Sequence, residues 1–516
     1  MAIFCVLLGL FYSFLHILSS FFSPPRHQHP TRKLPPGPRA IPVVGNLHML
    51  GTLPHRNLQT LAQKYGPIMC IRLGLVPTIV VSSPALAELV LKTHDTVFAS
   101  RPKTQASEYL NYGTNGIGFT EYGPYWRYVR KVCTLQLLSS SRIVSFGPLR
   151  KQEMNLIVKQ VRNAAERHEV VDLTEKVSEL VKEITFKMIV GIDNKIDSVD
   201  FRRLVEEGMR LIVTFNLADY VPYLGALDIQ GLTRKMKKLS KATDKIIDKK
   251  ILEIIQNSSE QQQQEEEDSN NYNNKPMTFI EVLLSLMNKP MNDHYDQPYT
   301  IQMTNIKGVI VDMIAASYET SVAAIEWTLS ELMRHPRVME SLRQEINKVV
   351  GTNRMVEESD LPKLTYLDMV VKETLRLHPL APLLVPRESM EDIEINGYYI
   401  PKKTRVFINT WAIGRDPTIW SDNVEDFFPE RFDGSDIDFK GHDFQFLPFG
   451  SGRRACPGMQ LGLMTIRLVV AQLVHCFDWR LPDGILPGDL DMTEKFGLAV
   501  RRTKHLLASP TYCLSI

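Results

Sequence analysis

Several common signatures are missing from this chain of 516 residues. Its six cysteines form no C-x-x-C pair, and so few over this length do not indicate a disulfide framework. There is no G-x-G-x-x-G dinucleotide fingerprint and no Walker-type phosphate loop. The net charge of +2 gives no concentrated basic excess. We therefore expect a folded part in a reducing compartment, no nucleotide site of its own and no nucleic-acid partner.

What the chain does have is ample material for a large core, since 44% of its residues are hydrophobic and 23% are charged. Helical patterns dominate to about position 380, while residues 68–83 and 393–409 resemble short strands. Asn396-Gly397 marks a hairpin turn, and residues 462–477 resemble a helix. The predicted fold class is mainly α with small β sheets.

The N-terminus carries an uncharged apolar run over residues 2–22, counting His16 as neutral. As a helix it would span about 30 Å, the thickness of a hydrocarbon core. A cleaved secretory signal is the alternative, but the run is longer than a usual signal core and no basic region precedes it. We expect residues 1–22 to be a transmembrane signal anchor.

A proline-rich spacer, residues 23–45, follows the anchor and contains the stretch LPPGPRAIPVVG. Basic residues lie just beyond the anchor, which by the positive-inside tendency places the bulk of the protein on the cytosolic side. They are Arg26, Arg32, Lys33 and Arg39. The single large domain is then 46–516, interrupted at 257–276 by a polar, acidic stretch predicted to be a disordered surface insertion.

One predicted helix is unusually long, because no proline occurs between Thr304 and Arg334. Pro336 ends it. Three small residues, Ala315–Ser317, stand in its middle, and acidic residues recur every seventh position at Asp312, Glu319 and Glu326. This pattern has two interpretations, a solvated stripe on a core helix or a bulky group packed at the small residues beside Glu319 and Thr320.

Cys456 stands in FGSGRRACPG, residues 449–458, among three glycines and two arginines. It could be half of a disulfide or a small buried hydrophobe. A thiolate, however, needs positive neighbours or a metal. Glycines allow the close approach of a flat group, and arginines bind carboxylates. A thiolate ligand of porphyrin iron, with an arginine on a propionate, would use each of these residue types.

This loop resembles the F-x-x-G-x-R-x-C-x-G haem loop of the cytochrome P-450 family, with matches at Phe449, Gly452, Arg454, Cys456 and Gly458. The resemblance covers almost the whole chain after the spacer. Glu373 and Arg376 are similar to the family's E-x-x-R pair, and Phe427, Pro429, Arg431 and Phe432 are similar to its PERF segment. Trp126 and Arg130 are similar to its W-x-x-x-R helix, and Arg387 stands where the family often has a propionate contact.

The resemblance implies a haem-thiolate monooxygenase that binds haem b, with Cys456 on the iron, and most resembles the plant microsomal enzymes of specialised metabolism. Thr320 and Glu319, in a segment similar to A-G-x-D/E-T-T/S, would help deliver protons, although Ser317 stands where glycine is usual. The resemblance also implies O2 as co-substrate and an NADPH-dependent reductase as electron donor. It further implies a single-pass location in the endoplasmic reticulum membrane and a small lipophilic substrate, a terpenoid or an aromatic compound.

By the same resemblance, substrate contacts are expected in five short segments: 101–121, Phe215–Asn216, Met313–Ser317, Ala381–Val385 and Phe496–Leu498. Arg127, Arg130 and Lys131 would lie on the helix that faces the reductase, and the alternative for Arg127 and Lys131 is that they are ordinary solvated charges. Two alternatives to a monooxygenase stay open here. One is a haem-thiolate isomerase or dehydratase that acts without O2, and the other is a membrane-anchored haem sensor.

Overall fold

Helices dominate the computed structural model, which describes residues 9, 12–13, 33–113, 115–191, 195–265, 276–289, 299–482 and 484–515. The α-helices are α1 Pro54–Tyr65, α2 Pro84–Glu88, α3 Gln105–Tyr109, α4 Pro124–Val132, α5 Ser140–Ser145, α6 Gly147–Glu166, α7 Leu173–Ile189, α8 Lys195–Val213, α9 Leu232–Glu265, α10 Phe279–Ser285, α11 Met303–Arg334, α12 Pro336–Val350, α13 Thr365–Leu377, α14 Thr410–Ile413, α15 Pro417–Trp420 and α16 Met459–Cys476. The predicted anchor, apart from residues 9 and 12–13, lies outside the described residues.

The β structure of the described residues forms small sheets. The strands are β1 Ile68–Leu73, β2 Val76–Val81, β3 Val171–Asp172, β4 Arg387–Glu388, β5 Ile393–Ile395, β6 Tyr398–Ile400, β7 Arg405–Ile408, β8 Phe477–Arg480, β9 Glu494–Lys495, β10 Arg501–Arg502 and β11 Leu507–Tyr512. They form sheets in the orders β1-β2-β7-β4 and β3-β11-β8 and the pairs β9-β10 and β5-β6. The predicted fold class, mainly α with small sheets, is confirmed.

Strand register follows the local sequence signals. β1 and β2 are antiparallel, with Ile68 opposite Val81, and β2 continues the sheet in parallel with β7. The predicted hairpin at Asn396-Gly397 is confirmed, because both residues have positive φ and join β5 to β6 with Ile395 opposite Tyr398. Asn and Gly tolerate this left-handed backbone.

Helix α11 runs through the middle of the core and packs against α7, α13 and α16. Its 32 residues make a rod of about 48 Å. Trp327 on this helix is wholly buried, and its indole N–H donates to the carbonyl of Val500 at 3.0 Å. The helix ends before Pro336, as predicted, and begins at Met303, one residue before the predicted start.

The acidic stripe of α11 is not solvated, so that interpretation was wrong. Asp312 is 6% exposed and Glu326 is 2% exposed. Each carboxylate has polar partners from another part of the chain, because a buried charge is stable only when it is hydrogen-bonded. Asp312 accepts from the backbone N–H groups of Ile117 and Gly118, and Glu326 accepts from the hydroxyl of Thr174.

The segment expected to be a disordered insertion begins as helix. Helix α9 continues to Glu265, so residues 257–265 differ from the expectation. The physical reason is that Glu and Gln are strong helix formers even where the sequence is of low complexity. Residues 266–275 lie outside the described part of the chain.

Within the described residues, two helices are long and apolar enough to cross a membrane, α11 and α16. In both, 72% of the most apolar window is buried inside the protein. They are the core helices of this domain, packed against one another.

Candidate active site

The loop that carries Cys456 is fixed by backbone contacts that only glycine permits. Gly452 has φ +70°, and a side-chain Cβ there would lie 2.2 Å from the carbonyl oxygen of Leu91 and 2.8 Å from a carboxylate oxygen of Asp95. The amide of Cys456 donates to the carbonyl of Phe449 at 2.9 Å, which closes the loop. The sequence pattern therefore reflects a tightly turned backbone that presents one sulfur.

The Cys456 side chain is solvent-accessible, yet protein surrounds it at longer range. Burial is accordingly the main cause that raises the pKa of its thiol, while the backbone N–H of Gly458 and the positive charge of Arg130 act against it. Burial in the protein therefore disfavours the thiolate form of this sulfur. A metal ion bound to the sulfur would stabilise the thiolate.

Arg454 belongs to this loop, and its side chain points into the protein, where the residue is 9% exposed. Its guanidinium donates to the backbone carbonyls of Ala99, Ile117 and Thr120 at 2.7, 3.3 and 2.5 Å. It also stacks on Trp126, with the guanidinium carbon 4.1 Å from the ring centroid. The Trp126 indole N–H donates to the carbonyl of Ile117 at 3.0 Å, so the two predicted residues share one anchoring point.

Arg387 joins the same region through Asp95. Its guanidinium donates to the Asp95 carboxylate at 3.0 Å and to the carbonyl of Ser451 at 2.8 Å. Asp95 also binds Arg453, through the backbone N–H at 2.9 Å and the guanidinium at 3.1 Å. This carboxylate, which no sequence motif marks, ties α2 and the following segment to the cysteine loop.

Two further arginines complete a cationic cluster. Arg101, which the sequence placed only within the expected substrate segment 101–121, is 6% exposed and donates to the carbonyls of Gly118, Val385 and Pro386. Arg130 is half-buried, and within the described residues its guanidinium has no hydrogen-bond or ion-pair partner.

The charges in this cluster act on one another. Burial first, and then the charges of Arg387 and Arg130, lower the pKa of Arg454 to about 9. Burial followed by Arg454 and Arg387 likewise lowers the pKa of Arg101. Mutually repelling buried cations are destabilising unless an anion lies among them. The residues present fit a dianionic porphyrin, the iron of which Cys456 would bind.

The predicted acid–alcohol pair lies on the middle of α11. Glu319 is half-buried, and burial is the main cause that raises the pKa of its carboxyl, opposed by Arg501 and by the backbone N–H of Ala499. The Thr320 hydroxyl donates to the carbonyl of Ala316 at 2.7 Å, one turn earlier. Ala316 is exposed although Ala315 beside it is buried, so α11 faces open space at its small residues.

Two of the expected substrate segments meet near the cysteine loop. A Cβ on Gly450 would lie 3.8 Å from the Leu384 side chain, which places Ala381–Val385 beside the loop. The amide of Val500 donates to the carbonyl of Leu380 at 2.8 Å, which places the turn Phe496–Leu498 next to the same segment. The structure thus brings these chain segments together around α11 and the cysteine loop.

The predicted E-x-x-R ion pair is confirmed and forms a second, separate cluster. Glu373 and Arg376 are fully buried side chains that pair at 2.7 Å, and Arg431 reaches the same carboxylate at 2.8 Å. Arg376 also donates to the carbonyls of Gly414 and Val424. This cluster fixes α13 against the segment that precedes the cysteine loop.

Comparison with known proteins decides the family. A profile described as Cytochrome P450 matches residues 35–507. Cytochrome P450 CYP736A12 of Panax ginseng is 55% identical over 492 residues, covering 95% of each chain. Desmethyl-deoxy-podophyllotoxin synthase of Sinopodophyllum hexandrum is 41% identical over 487 residues, covering 94% of this chain and 93% of that protein. The chain belongs to the cytochrome P450 family.

The fold of this P450 matches solved structures as well. A zebrafish cytochrome P450 with progesterone superposes with a TM-score of 0.71 at 25% identity, covering 89% of this chain and 99% of the other. The protein is therefore a haem-thiolate monooxygenase, of the type found in plants. This assignment favours oxygenation over the isomerase and sensor alternatives.

Proposed function

We propose that this P450 is a membrane-anchored enzyme that hydroxylates or epoxidises a small lipophilic plant metabolite, with a terpenoid or an aromatic compound as the best candidates. Cys456 carries the proposal, because its sulfur is presented by a glycine-rich loop beside a cluster of buried cations. When bound, haem would supply O2 activation, with one oxygen atom going to the substrate and the other reduced to water by two electrons and two protons, and the Cys456 thiolate would donate electron density to the iron.

In this proposal the residues around the loop hold the haem. Cys456 would bind the iron, and Arg454, Arg130 and Trp126 would hold the propionates. Arg387 adds positive charge and is kept in place by Asp95. Phe449, Gly452 and Gly458 shape the loop, as supported by the Cys456–Phe449 hydrogen bond and by the glycine-only backbone of position 452.

Thr320 and Glu319 would move protons to the reacting oxygen. The Thr320 hydroxyl donates its proton to Ala316, but its oxygen still has lone pairs that accept a hydrogen bond. It can therefore orient a water molecule beside the exposed Ala316. Glu319, whose pKa burial raises, is able to hold and release a proton nearer neutral pH than an exposed carboxyl.

The electrons would come from NADPH through a separate reductase, since the chain carries no nucleotide fingerprint. Arg127 and Lys131 on α4 are candidate contacts for this partner. Residues 1–22 would anchor the enzyme by a single pass in the endoplasmic reticulum membrane, with the catalytic domain in the cytosol. The name of the podophyllotoxin-type relative supports a role in plant specialised metabolism.

A substrate panel tests the proposal. Microsomes that contain the full chain and a plant reductase are incubated with NADPH and lipophilic terpenoids and aromatics, and products are read by mass. We expect a gain of one oxygen atom for a subset of the panel. NADPH consumption that no compound stimulates, with no mass shift, would contradict the proposal.

The role of Thr320 has its own test. Thr320→Val keeps the shape of the side chain and removes the hydroxyl, so haem and substrate should still bind and NADPH should still be consumed. Product per NADPH should fall, with hydrogen peroxide rising, because protons are delivered without control. An unchanged ratio in a well-folded variant would mean that Thr320 only caps the carbonyl of Ala316.

A further inference from the structure

A short hairpin near the C-terminus is held from outside by an ion-pair cluster that the proposed mechanism does not use. Its strands are β9 and β10, with Glu494 opposite Arg502 at the open end. The Glu494 carboxylate is 1% exposed, and one of its oxygens accepts from His55 Nε2 at 3.2 Å and from Arg56 Nε at 2.7 Å. We call His55, Arg56 and Glu494 the α1 clamp.

The clamp also touches the tip of the hairpin. The ring of His55 is wholly buried and stacks on Phe496, with centroids 6.1 Å apart and planes inclined by 21°. The same ring packs edge-on against Trp411, 4.9 Å away, and the guanidinium of Arg56 lies 4.5 Å over that indole. Helix α1 therefore fixes both the base of the hairpin and the first residue of its turn.

The inner side of the hairpin lies against α11. Trp327 donates to the Val500 carbonyl at 3.0 Å, and the Val500 amide donates to Leu380 at 2.8 Å. The backbone N–H of Ala499 approaches the carboxyl of Glu319. The turn Phe496–Leu498 thus spans the space between the clamp and the acid of the acid–alcohol pair.

One detail indicates that the clamp does more than pack. The other Glu494 oxygen and His55 Nδ1 are buried without a hydrogen-bond partner among the described residues. Such groups are unfavourable and call for an explanation. An apolar pair would fill the site at lower cost, but it would not fix direction as two charge-assisted bonds do.

We propose that Glu494, held by His55 and Arg56, is a positioning residue that sets the turn Phe496–Leu498 as a rigid wall of the substrate cavity. Ligands large enough to reach the turn then bind to a surface that is already ordered. Ligands that occupy only the space next to the iron do not sense the clamp. This inference rests on the proposed function, because it takes the cavity beside Cys456 and Ala316 to be the ligand site.

Two azoles of different size separate these cases in the haem-loaded full-length enzyme. Imidazole reaches the iron alone, whereas clotrimazole fills the surrounding cavity, and both give a spectral shift that yields a Kd. Glu494→Ala should weaken clotrimazole about fivefold relative to imidazole, the range expected for ordering one side chain on binding. The conservative Glu494→Gln, which still accepts one bond, should lose less than half as much.

Glu153→Ala is the matched control. Glu153, on α6, is 4% exposed, and its carboxylate binds the ammonium group of Lys187 at 2.8 Å. Its ratio of the two Kd values should equal that of the wild type. Hydrogen exchange gives a readout that needs no bound azole. Amides of the 494–500 peptide should exchange about tenfold faster in Glu494→Ala and unchanged in Glu153→Ala.

Each other outcome overturns the inference. Faster exchange with an unchanged Kd ratio means that the turn is not a ligand wall, and unchanged exchange means that the clamp does not hold it. Equal weakening of both azoles indicates general damage. If Glu494→Ala fails to fold, Glu494→Gln is judged by the same criteria. A wild-type chain that binds no haem would defeat the proposed function, while the exchange experiment would still decide the clamp.

Discussion

Two clusters of buried arginines in the described part of the protein differ in how their charges are balanced. Around Glu373, the guanidinium groups of Arg376 and Arg431 share one carboxylate and several backbone carbonyls. Around the cysteine loop, Arg454 is bound by carbonyls alone and Arg130 has no hydrogen-bond or ion-pair partner within the described chain. The first cluster has one carboxylate for two guanidinium groups, both of which also donate to backbone carbonyls, whereas the second has one carboxylate, Asp95, for a larger set of arginines and so carries a larger excess of positive charge.

This difference shows how the folded chain can present a binding site for haem, a group that is not part of the polypeptide. In a self-contained cluster, contacts within the chain offset the free energy that is lost when the charges are buried. In a cluster with surplus cations that free energy is not offset until an anion binds among them, so the anion binds more tightly. A change in the first cluster should therefore alter the free energy of unfolding, and a change in the second should alter the retention of haem.

The largest effect is expected from Cys456→Ala, which removes the sulfur that would fix the group served by the second cluster. The variant should lose the thiolate signature of the reduced carbon monoxide spectrum completely. Cys513→Ala is the control, because Cys513 is exposed at the far end of β11 and should leave the spectrum intact. A thiolate signature that persists in Cys456→Ala would show that the ligand is another residue.

Glu373→Gln should damage the self-contained cluster. It leaves two buried guanidinium groups without a charged partner, so the free energy of unfolding should fall by about 3 kcal/mol. Urea unfolding followed by tryptophan fluorescence measures it. Glu430→Gln, at a 28% exposed carboxylate paired with Arg337, should lower it by less than about 1 kcal/mol. Equal losses in the two variants would erase the distinction.

Arg130→Met should act on haem retention and leave the chain intact. The substituent fills similar space without the charge, so haem should transfer to an apoglobin acceptor about tenfold faster, as for the loss of one charge-assisted bond. Unfolding of the polypeptide should hardly change. Arg127→Met, at an exposed position on the same helix, is the matched control. An unaltered transfer rate in Arg130→Met would remove Arg130 from the haem contacts.

The smallest effect concerns a third group of charged residues, Glu331, His335 and His378, at the C-terminal end of α11. Burial would raise the pKa of Glu331, but hydrogen bonds from His335 and His378 outweigh it and lower the pKa to about 2. The hydrogen bond to Glu331 raises the pKa of His335 above its usual 6.5. A raised histidine pKa stabilises the fold fully below pH 6.5 and loses that effect as the pH rises through the folded-state value.

The Glu331 contribution is present above its usual pKa of 4.5 and is lost as the pH falls towards 2. The pair therefore stabilises most between about pH 4.5 and 6.5. In His335→Gln, which removes the titrating ring, the deficit in melting temperature should be larger at pH 6 than at pH 8, by a few degrees at most. A deficit independent of pH would mean that His335 stabilises by packing on Phe427 alone.

Much of the fold could be predicted because it rests on local signals. The hairpin at Asn396-Gly397, the end of α11 before Pro336 and the Glu373–Arg376 pair are all set by residues close together in sequence. The region of residues 257–265 was mispredicted because composition alone does not separate a polar helix from a disordered segment.

The site was predictable only where a spaced motif marks it. Asp95 was not predicted, and Arg101 was predicted only as part of the substrate segment 101–121, because a single acid or base among ordinary neighbours carries no pattern that assigns it to the arginine cluster. Their roles arise from contacts across hundreds of residues, such as Asp95 with Arg387. The buried state of Asp312 was missed for the same reason, because its partners lie on a loop that no periodicity connects to α11.

The carboxylate of Asp312 has a consequence for anyone who would widen the substrate range of this enzyme. It accepts bonds from Asn111, Ile117 and Gly118, and a Cβ on Gly308 would lie 2.9 Å from the Asn115 backbone. These contacts join the loop 111–118 rigidly to α11. Mutations that displace the loop should therefore disrupt the helix at the centre of the domain. If the proposed function holds, libraries that enlarge the substrate cavity should instead vary side chains in 381–385 and 496–498, the two expected substrate segments that lie beside the cysteine loop.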